Sequence, residues 1–130
     1  MSMTPFSPLA AGRVCRLPEE KNKRGDEDKV AKVKYDNNNI DIPIIKRIKE
    51  VADKLKVTMA QISIAWLLSK PNLSSPVCGC TKISQLEDLC QAVQIKLSPE
   101  YVKYLDELYQ PHSLMWAMAK TQGSSFYVKK

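Results

Sequence analysis

The chain reads as an α/β protein of 130 residues, in which short strands and amphipathic helices follow one another. Two apolar stretches of strand length, Met3–Phe6 and Val77–Thr81, each run into a loop of small and polar residues. Between and after them lie segments whose apolar residues recur every three or four positions, the helical period. A long helical crossover between two strands favours parallel pairing, so the order strand, long loop, two helices, strand, helix, helix predicts a parallel α/β layout.

Met3–Phe6 enters the loop Ser7-Pro8-Leu9-Ala10-Ala11-Gly12, punctuated by Pro and Gly. Residues 13–40 are charged, poor in aromatics and without sustained periodicity, so they are expected to form a long surface loop. Beyond it Ile44, Ile45, Ile48, Val51, Ala52 and Leu55 mark one face of a helix. Asp41 is expected to cap it, with Pro43 in the first turn where a missing N–H costs nothing. Thr58 and Gln61 stand at capping-box spacing, and the run Ile62 to Leu68 is apolar nearly all round, which predicts a helix buried on more than one side. Pro71 to Pro76 breaks that helix. Ile83, Leu86, Leu89, Cys90 and Val93 predict a helix with one apolar face, and Ser98-Pro99 opens a last helix carrying Val102, Leu105 and Leu108 inward.

Composition narrows the function classes. A share of 44% hydrophobic residues is enough for a core, and the net charge of +6 raises the question of polyanionic partners. Acidic side chains are interspersed with the basic ones throughout, so no stripe forms and nucleic-acid binding is not expected. No window approaches the ~20 apolar residues of a membrane span, and the N-terminus lacks the pattern of a secretory signal. A cytoplasmic protein with reduced thiols is the expectation for Cys15, Cys78, Cys80 and Cys90. A zinc site built from Cys78, Cys80, Cys90 and His112 is not expected, because the Cys-x-Cys gap is too short for a zinc knuckle.

In parallel α/β proteins the loops after the strands converge on one face, where ligands bind. Those loops are Ser7–Gly12 and Gly79–Gln85. In the second, Gly79 leaves room for the backbone to approach a ligand, Thr81 offers a hydroxyl, Lys82 a cation, and the following helix an N-terminus that attracts anions. On spacing alone, a capped helix start and a solvated surface lysine explain Thr81 and Lys82 more simply.

Four segments in order resemble one family. Phe6-Ser7-Pro8-Leu9-x-x-Gly12 resembles the segment after the seventh barrel strand of NADP(H)-dependent aldo-keto reductases. Thr58-x-Ala60-Gln61 through Lys70-Pro71 is similar to their seventh helix. Pro76-Val77-x-Gly79-x-Thr81-Lys82-x-x-Gln85-Leu86-Glu87-Asp88 is similar to their eighth strand and 2′-phosphate-binding turn, and Leu97-Ser98-Pro99-Glu100 to His112 to the last helix and exit.

The resemblance implies the last strand–helix units of a (β/α)8 TIM barrel, incomplete here, with residues 1–112 as the C-terminal part of the reductase domain and 113–130 as a tail. It implies NADP(H) as cofactor, with Phe6 stacking on the nicotinamide, Ser7, Leu9 and Gly12 at the pyrophosphate, and Gly79, Thr81, Lys82 and Gln85 around the adenosine 2′-phosphate. Asp88 would take the acidic adenine-contacting position, one carbon shorter than the Glu often found there. The family's next residue is commonly Asn; here it is Leu89, which reads as a core residue.

The family's catalytic Asp, Tyr, Lys and His belong to strands preceding this part, so no catalytic residue and no metal ligand is expected within the chain. His112, Tyr101, Tyr104 and Tyr109 read as exit and packing residues. A full-length form would take a carbonyl substrate. The other reading is a degenerate remnant with a binding or scaffolding role. Two units cannot close a barrel of roughly 250 residues, so the isolated chain is expected to be marginal and to self-associate through exposed barrel edges. Leu114, Met115, Trp116 and Met118 in the tail fit an exit helix, or a flap.

Overall fold

The computed structural model describes residues 1–20 and 40–111. Most of the 13–40 loop, His112 and the tail 113–130 therefore lie outside the described residues. Two turns of 3₁₀ helix, Ala10–Cys15, are followed by helices α1 (Asp41–Leu55), α2 (Met59–Leu68), α3 (Ile83–Gln91) and α4 (Pro99–Asp106), with a further 3₁₀ turn at Ala92–Gln94.

The four expected helices are present. Local chemistry sets their ends. At α2, Gln61 N–H donates to Thr58 Oγ1 at 3.1 Å while Thr58 N–H donates to Gln61 Oε1 at 3.2 Å, the reciprocal box that its spacing predicts. At α4, Ser98 Oγ accepts from Tyr101 N–H, and Pro99 fills the first helical position. Helix α1 departs from expectation. Asp41 is already its first helical residue and caps nothing; its carboxylate accepts instead from Arg13 Nε at 3.2 Å, and its charge complements the helix N-terminus.

The expected strands do not form as strands: the described residues contain only two isolated parallel bridges, Met3 with Leu73 and Phe6 with Val77. Met3 N–H donates to Asn72 O and Ser74 N–H to Met3 O, both at 2.9 Å, and Val77 N–H donates to Pro5 O at 2.9 Å. Two features interrupt the ladder. Two residues separate the bridged positions on one side and three on the other, a one-residue mismatch of the kind that makes a bulge. Pro5 and Pro76 also lie between the bridges, and neither has an N–H to donate. The pairing accordingly falls on 72–77 rather than on Val77–Thr81. The direction is parallel, as the long crossover requires.

The core lies between α1, α2 and α4. Ile45, Ile48, Val51, Ala52, Met59, Ile62 and Leu105 form one buried cluster, with Trp66, Tyr101 and Tyr104 against it. Helix α2 is buried over most of its circumference, as its composition predicts; even Gln61 and Ser63 are enclosed. Polar links close the outside. Trp66 Nε1 donates to Asp106 Oδ1 at 2.6 Å, and Lys70 Nζ to Asp106 Oδ2 at 2.7 Å while it lies over the Trp66 ring. Arg47 stacks on the Tyr104 ring and donates to Glu107 Oε2 at 2.8 Å, and Tyr104 donates its hydroxyl to Glu50 Oε2 at 2.6 Å.

Helix α3 has the apolar face its period predicts, yet among the described residues little covers it: Ile83 is 78% exposed and Leu86 is open, as is Val93 in the turn just beyond the helix. Among the described residues no helix is long and apolar enough to cross a membrane.

Candidate functional site

The loop after Phe6 holds most of the left-handed backbone among the described residues. Ser7, Ala10 and Ala11 have φ of 54°, 49° and 56°, the left-handed region where a Cβ costs about 1–2 kcal/mol per residue. Gly12 continues the turn at φ 88°, and here glycine is needed for its conformation. Strain of this kind persists where the surroundings over-determine it, and it concentrates at ligand clamps and active sites.

This loop faces the second one. Ser7, Leu9 and Gly12 from the first segment and Gly79, Gln85 and Asp88 from the second line one cleft of about 590 Å³, with α2 contributing Thr58 and Ala60 to its wall. Six of the nine residues singled out from sequence therefore meet around one space. The other three stand outside its lining. Phe6, bridged to Val77, is 61% exposed, and Thr81 and Lys82 are exposed at the start of α3.

Each has a physical account. A Cβ added at Gly79 would meet nothing within 4 Å, so the missing side chain leaves open room on the cleft wall and relieves no clash within the chain. Gln85 Oε1 turns back to accept from Thr81 N–H at 3.0 Å and Lys82 N–H at 3.3 Å, which fixes the entry of α3. Asp88 is held by α2: its carboxylate accepts from Thr58 Oγ1 and from Gln61 Nε2, both at 2.9 Å, and Gln61 also reaches Gln91 Oε1 at 3.0 Å. This partly buried network around the enclosed Gln61 amide joins α2 to α3 and so ties the two walls of the cleft together. Leu89, expected in the core, lines the cleft instead. It shares that cleft with the loop at 7–12, to which it presents an apolar surface.

Besides Thr58, Ala60 and Leu89, sequence reading missed Arg16, Cys15, Cys78 and Cys80 in the lining. Arg16 follows the 3₁₀ turns and brings a guanidinium to the same wall as the loop backbone. Its position depends on a backbone path that left-handed Ala10 and Ala11 create and that no periodicity reveals. Burial pushes the Cys15 thiol up to about 11, with Asp88 and Cys78 adding to the effect and Arg16 opposing it. Burial likewise raises Cys78.

The arrangement is a cleft with a strained turn on one wall and one cation, Arg16, and one carboxylate, Asp88, in its lining, with Lys82 exposed at the start of α3 outside it. The turn and the two cations are groups that hold an elongated anion.

A match to the Aldo/keto reductase family runs over residues 1–110. The chain belongs to the aldo/keto reductase family. It is 33% identical over 117 residues to a versiconal hemiacetal acetate reductase of Aspergillus parasiticus, covering 88% of this chain and 34% of that protein. Aldo-keto reductases of Fusarium vanettenii and Metarhizium robertsii are 29% and 32% identical over 117 residues, with 88% of this chain and 31% of the relative covered in each case. The chain thus spans about a third of the length of the curated relatives it matches. Aldo-keto reductases generally use NAD(P)H, and the family fold is a TIM barrel.

Proposed function

We propose that this chain corresponds to the C-terminal, NADP(H)-holding portion of an aldo-keto reductase whose whole form reduces an aldehyde or ketone to an alcohol. The observation that carries this reading is the convergence of two loops, 67 or more residues apart in sequence, on one cleft that holds six of the nine positions the family resemblance implies for the cofactor. NADPH, when bound, supplies the hydride.

The chain's own residues bind and orient. Ser7, Leu9 and Gly12 present hydroxyl and backbone to the pyrophosphate, with Arg16 as an added cation. Lys82 and the α3 entry, pre-set by Gln85, receive the 2′-phosphate, and this doubly charged group is what favours NADP(H) over NAD(H). Asp88 and Leu89 border the adenine end, and Phe6, one residue before the cleft, supplies an exposed aromatic face for the nicotinamide. Proton delivery to the carbonyl falls to residues outside this chain.

Calorimetric titration of the chain with NADPH and NADH tests the proposal. NADPH is expected to bind more tightly. In Lys82→Ala the preference should shrink by about tenfold or more, the worth of one charge-assisted hydrogen bond. Equal affinities for the two nucleotides in the unmodified chain would sink the cofactor reading.

A further inference from the structure

A second open space, of about 350 Å³, lies between α1, α2 and α4, and its wall is almost wholly apolar. Ile44 and Ile48 of α1, Leu67 of α2, Leu105 of α4 and Tyr109 just beyond α4 line it. Protein interiors leave few voids larger than a water molecule, so an apolar groove of this size at the junction of three helices is a surface prepared for a cover. Its polar rim is already engaged. Lys70 Nζ donates to both oxygens of Asp106, Trp66 Nε1 donates to the same carboxylate, and Ser63 Oγ donates to Met59 O at 2.8 Å. What the groove lacks is apolar contact on its open side, so the occupant it fits is apolar and uncharged.

The chain carries such a segment at the groove's edge. Tyr109 is 66% exposed on the groove, and the tail outside the described residues begins three positions later at His112. Ser113 to Ala119 has no charged side chain and holds Leu114, Met115, Trp116 and Met118. The stretch 21–39, also outside the described residues, is crowded with charge and has no comparable apolar run. Leu114 follows Tyr109 by five positions, a reach of up to ~17 Å, which is enough to bring the run back over the groove. Tethering decides between this segment and a separate chain. A short link gives the tail a local concentration in roughly the millimolar range, so it fills the groove ahead of a free partner.

We infer that the groove between α1, α2 and α4 is the seat of the chain's own tail, with the run Leu114 to Met118 as its occupant. The seat adjoins the cleft described above. Pro8 lines both spaces, and Val14, which follows the left-handed turn, lines the groove. A seated tail therefore backs the 7–12 loop from the groove side and holds it in its strained form, so less ordering accompanies ligand binding. This consequence rests on the cofactor reading given under the proposed function; the seat itself does not.

The test places a photoreactive side chain in the tail of the full chain, as Trp116→p-benzoylphenylalanine, and maps its cross-links by peptide mass spectrometry. Cross-links within one chain to Ile44, Ile48, Leu67 or Leu105 are expected. Mixing isotopically heavy and light chains separates contacts within a chain from contacts between copies. Cross-links to α3, where Ile83 and Leu86 also stand open, cross-links only between copies, or none to the groove would overturn the inference. Calorimetry of Trp116→Ser with NADPH then checks the consequence, with affinity expected to fall by a few-fold. Unchanged affinity beside groove cross-links would sever the seat from the cleft. A parent chain that binds no NADPH would remove the cofactor reading, while the cross-links would still decide the seat, so the two readings fail separately.

Discussion

Helix α2 has two unlike neighbours. Towards α1 and α4 it presents Ile62 and Met59 to a cluster of buried apolar side chains whose outer links are satisfied ion pairs and ring contacts. Towards α3 it presents Thr58 and Gln61, and beyond them lie an open cleft, a run of left-handed residues and an apolar helix face that the described residues leave largely uncovered. One side is built for stability, and the other is the one proposed to take a ligand. The stability of the first permits the strain of the second, since a left-handed Ala or Ser persists only where neighbouring structure holds it.

The largest expected effect comes from breaking the first side. Ile62 is fully enclosed, and Ile62→Ala removes methyl groups from a site walled by two other helices. Its loss should cost about 3 kcal/mol, and urea denaturation of the variant against the parent chain measures it. A change below about 1 kcal/mol would mean that the cluster between α1, α2 and α4 is loosely packed. The link between the two sides comes next. Asp88→Ala leaves Thr58 and Gln61 without their carboxylate acceptor, at a cost of about 1–3 kcal/mol. Because the same network sets the spacing of α2 and α3, NADPH affinity should fall as well. A stability loss with unchanged affinity would show that the cleft width does not depend on Asp88.

The two sides also differed in how legible they were in the sequence. The helices of the stable side follow from local rules: the three-and-four spacing of Ile45, Ile48, Val51 and Ala52, the Thr58–Gln61 box, and Ser98-Pro99 each fix an element without reference to distant residues. Asp41 was misplaced by one position because the residue that engages it, Arg13, lies across the long loop. The ligand side depends on such distant relations. The two loops could be named from their small residues and their family resemblance, but Ala10 and Ala11 carry no mark of left-handed backbone, and without it Arg16 and Cys15 cannot be placed on the cleft. The amphipathic period of α3 tells which face seeks cover and cannot tell whether the described residues provide it. The strands fail as strands for a third reason: Pro5 falls inside one expected strand and Pro76 just before the other, and their missing donors together with a one-residue mismatch interrupt the pairing between them.

A smaller effect, confined to alkaline pH, separates the cleft thiols from the rest. Cys15 is raised to about 11 in the folded chain, chiefly by burial, against 9.0 for an unburied thiol. Below pH ~9 both folded and unfolded forms are protonated and its contribution is intact. Between about 9 and 11 the unfolded thiol ionises while the folded one does not, so stability falls with rising pH across that window and levels off above it. Cys78 and Tyr104, also raised, act in the same direction. Cys15→Ala should flatten part of the decline, measured as the urea midpoint at pH 8 and pH 10.5. An identical decline in the variant would show that Cys15 is open to water.

The smallest effects sharpen the comparison most, because they place the same kind of strain on both sides of α2. Lys56 ends α1 in the left-handed region at φ 55°, and Ala11 turns the cleft loop at φ 56°. Glycine at either position removes the Cβ penalty of about 1–2 kcal/mol and gives back about 0.5–1 kcal/mol in unfolded-chain entropy, so Lys56→Gly and Ala11→Gly should each stabilise by roughly 0.5–1 kcal/mol. Their effects on binding should then part. Lys56 only closes a helix, its N–H bonded to Ala52 and Asp53 carbonyls, and NADPH affinity should not change. Ala11 lines the cleft, and replacing it with glycine lets the free loop sample other conformations whose loss must accompany binding, so affinity should fall by a few-fold while stability rises. If both variants gain stability and neither loses affinity, the left-handed turn is a feature of the chain's own path, and the strain at Ser7–Gly12 serves the fold and not a ligand.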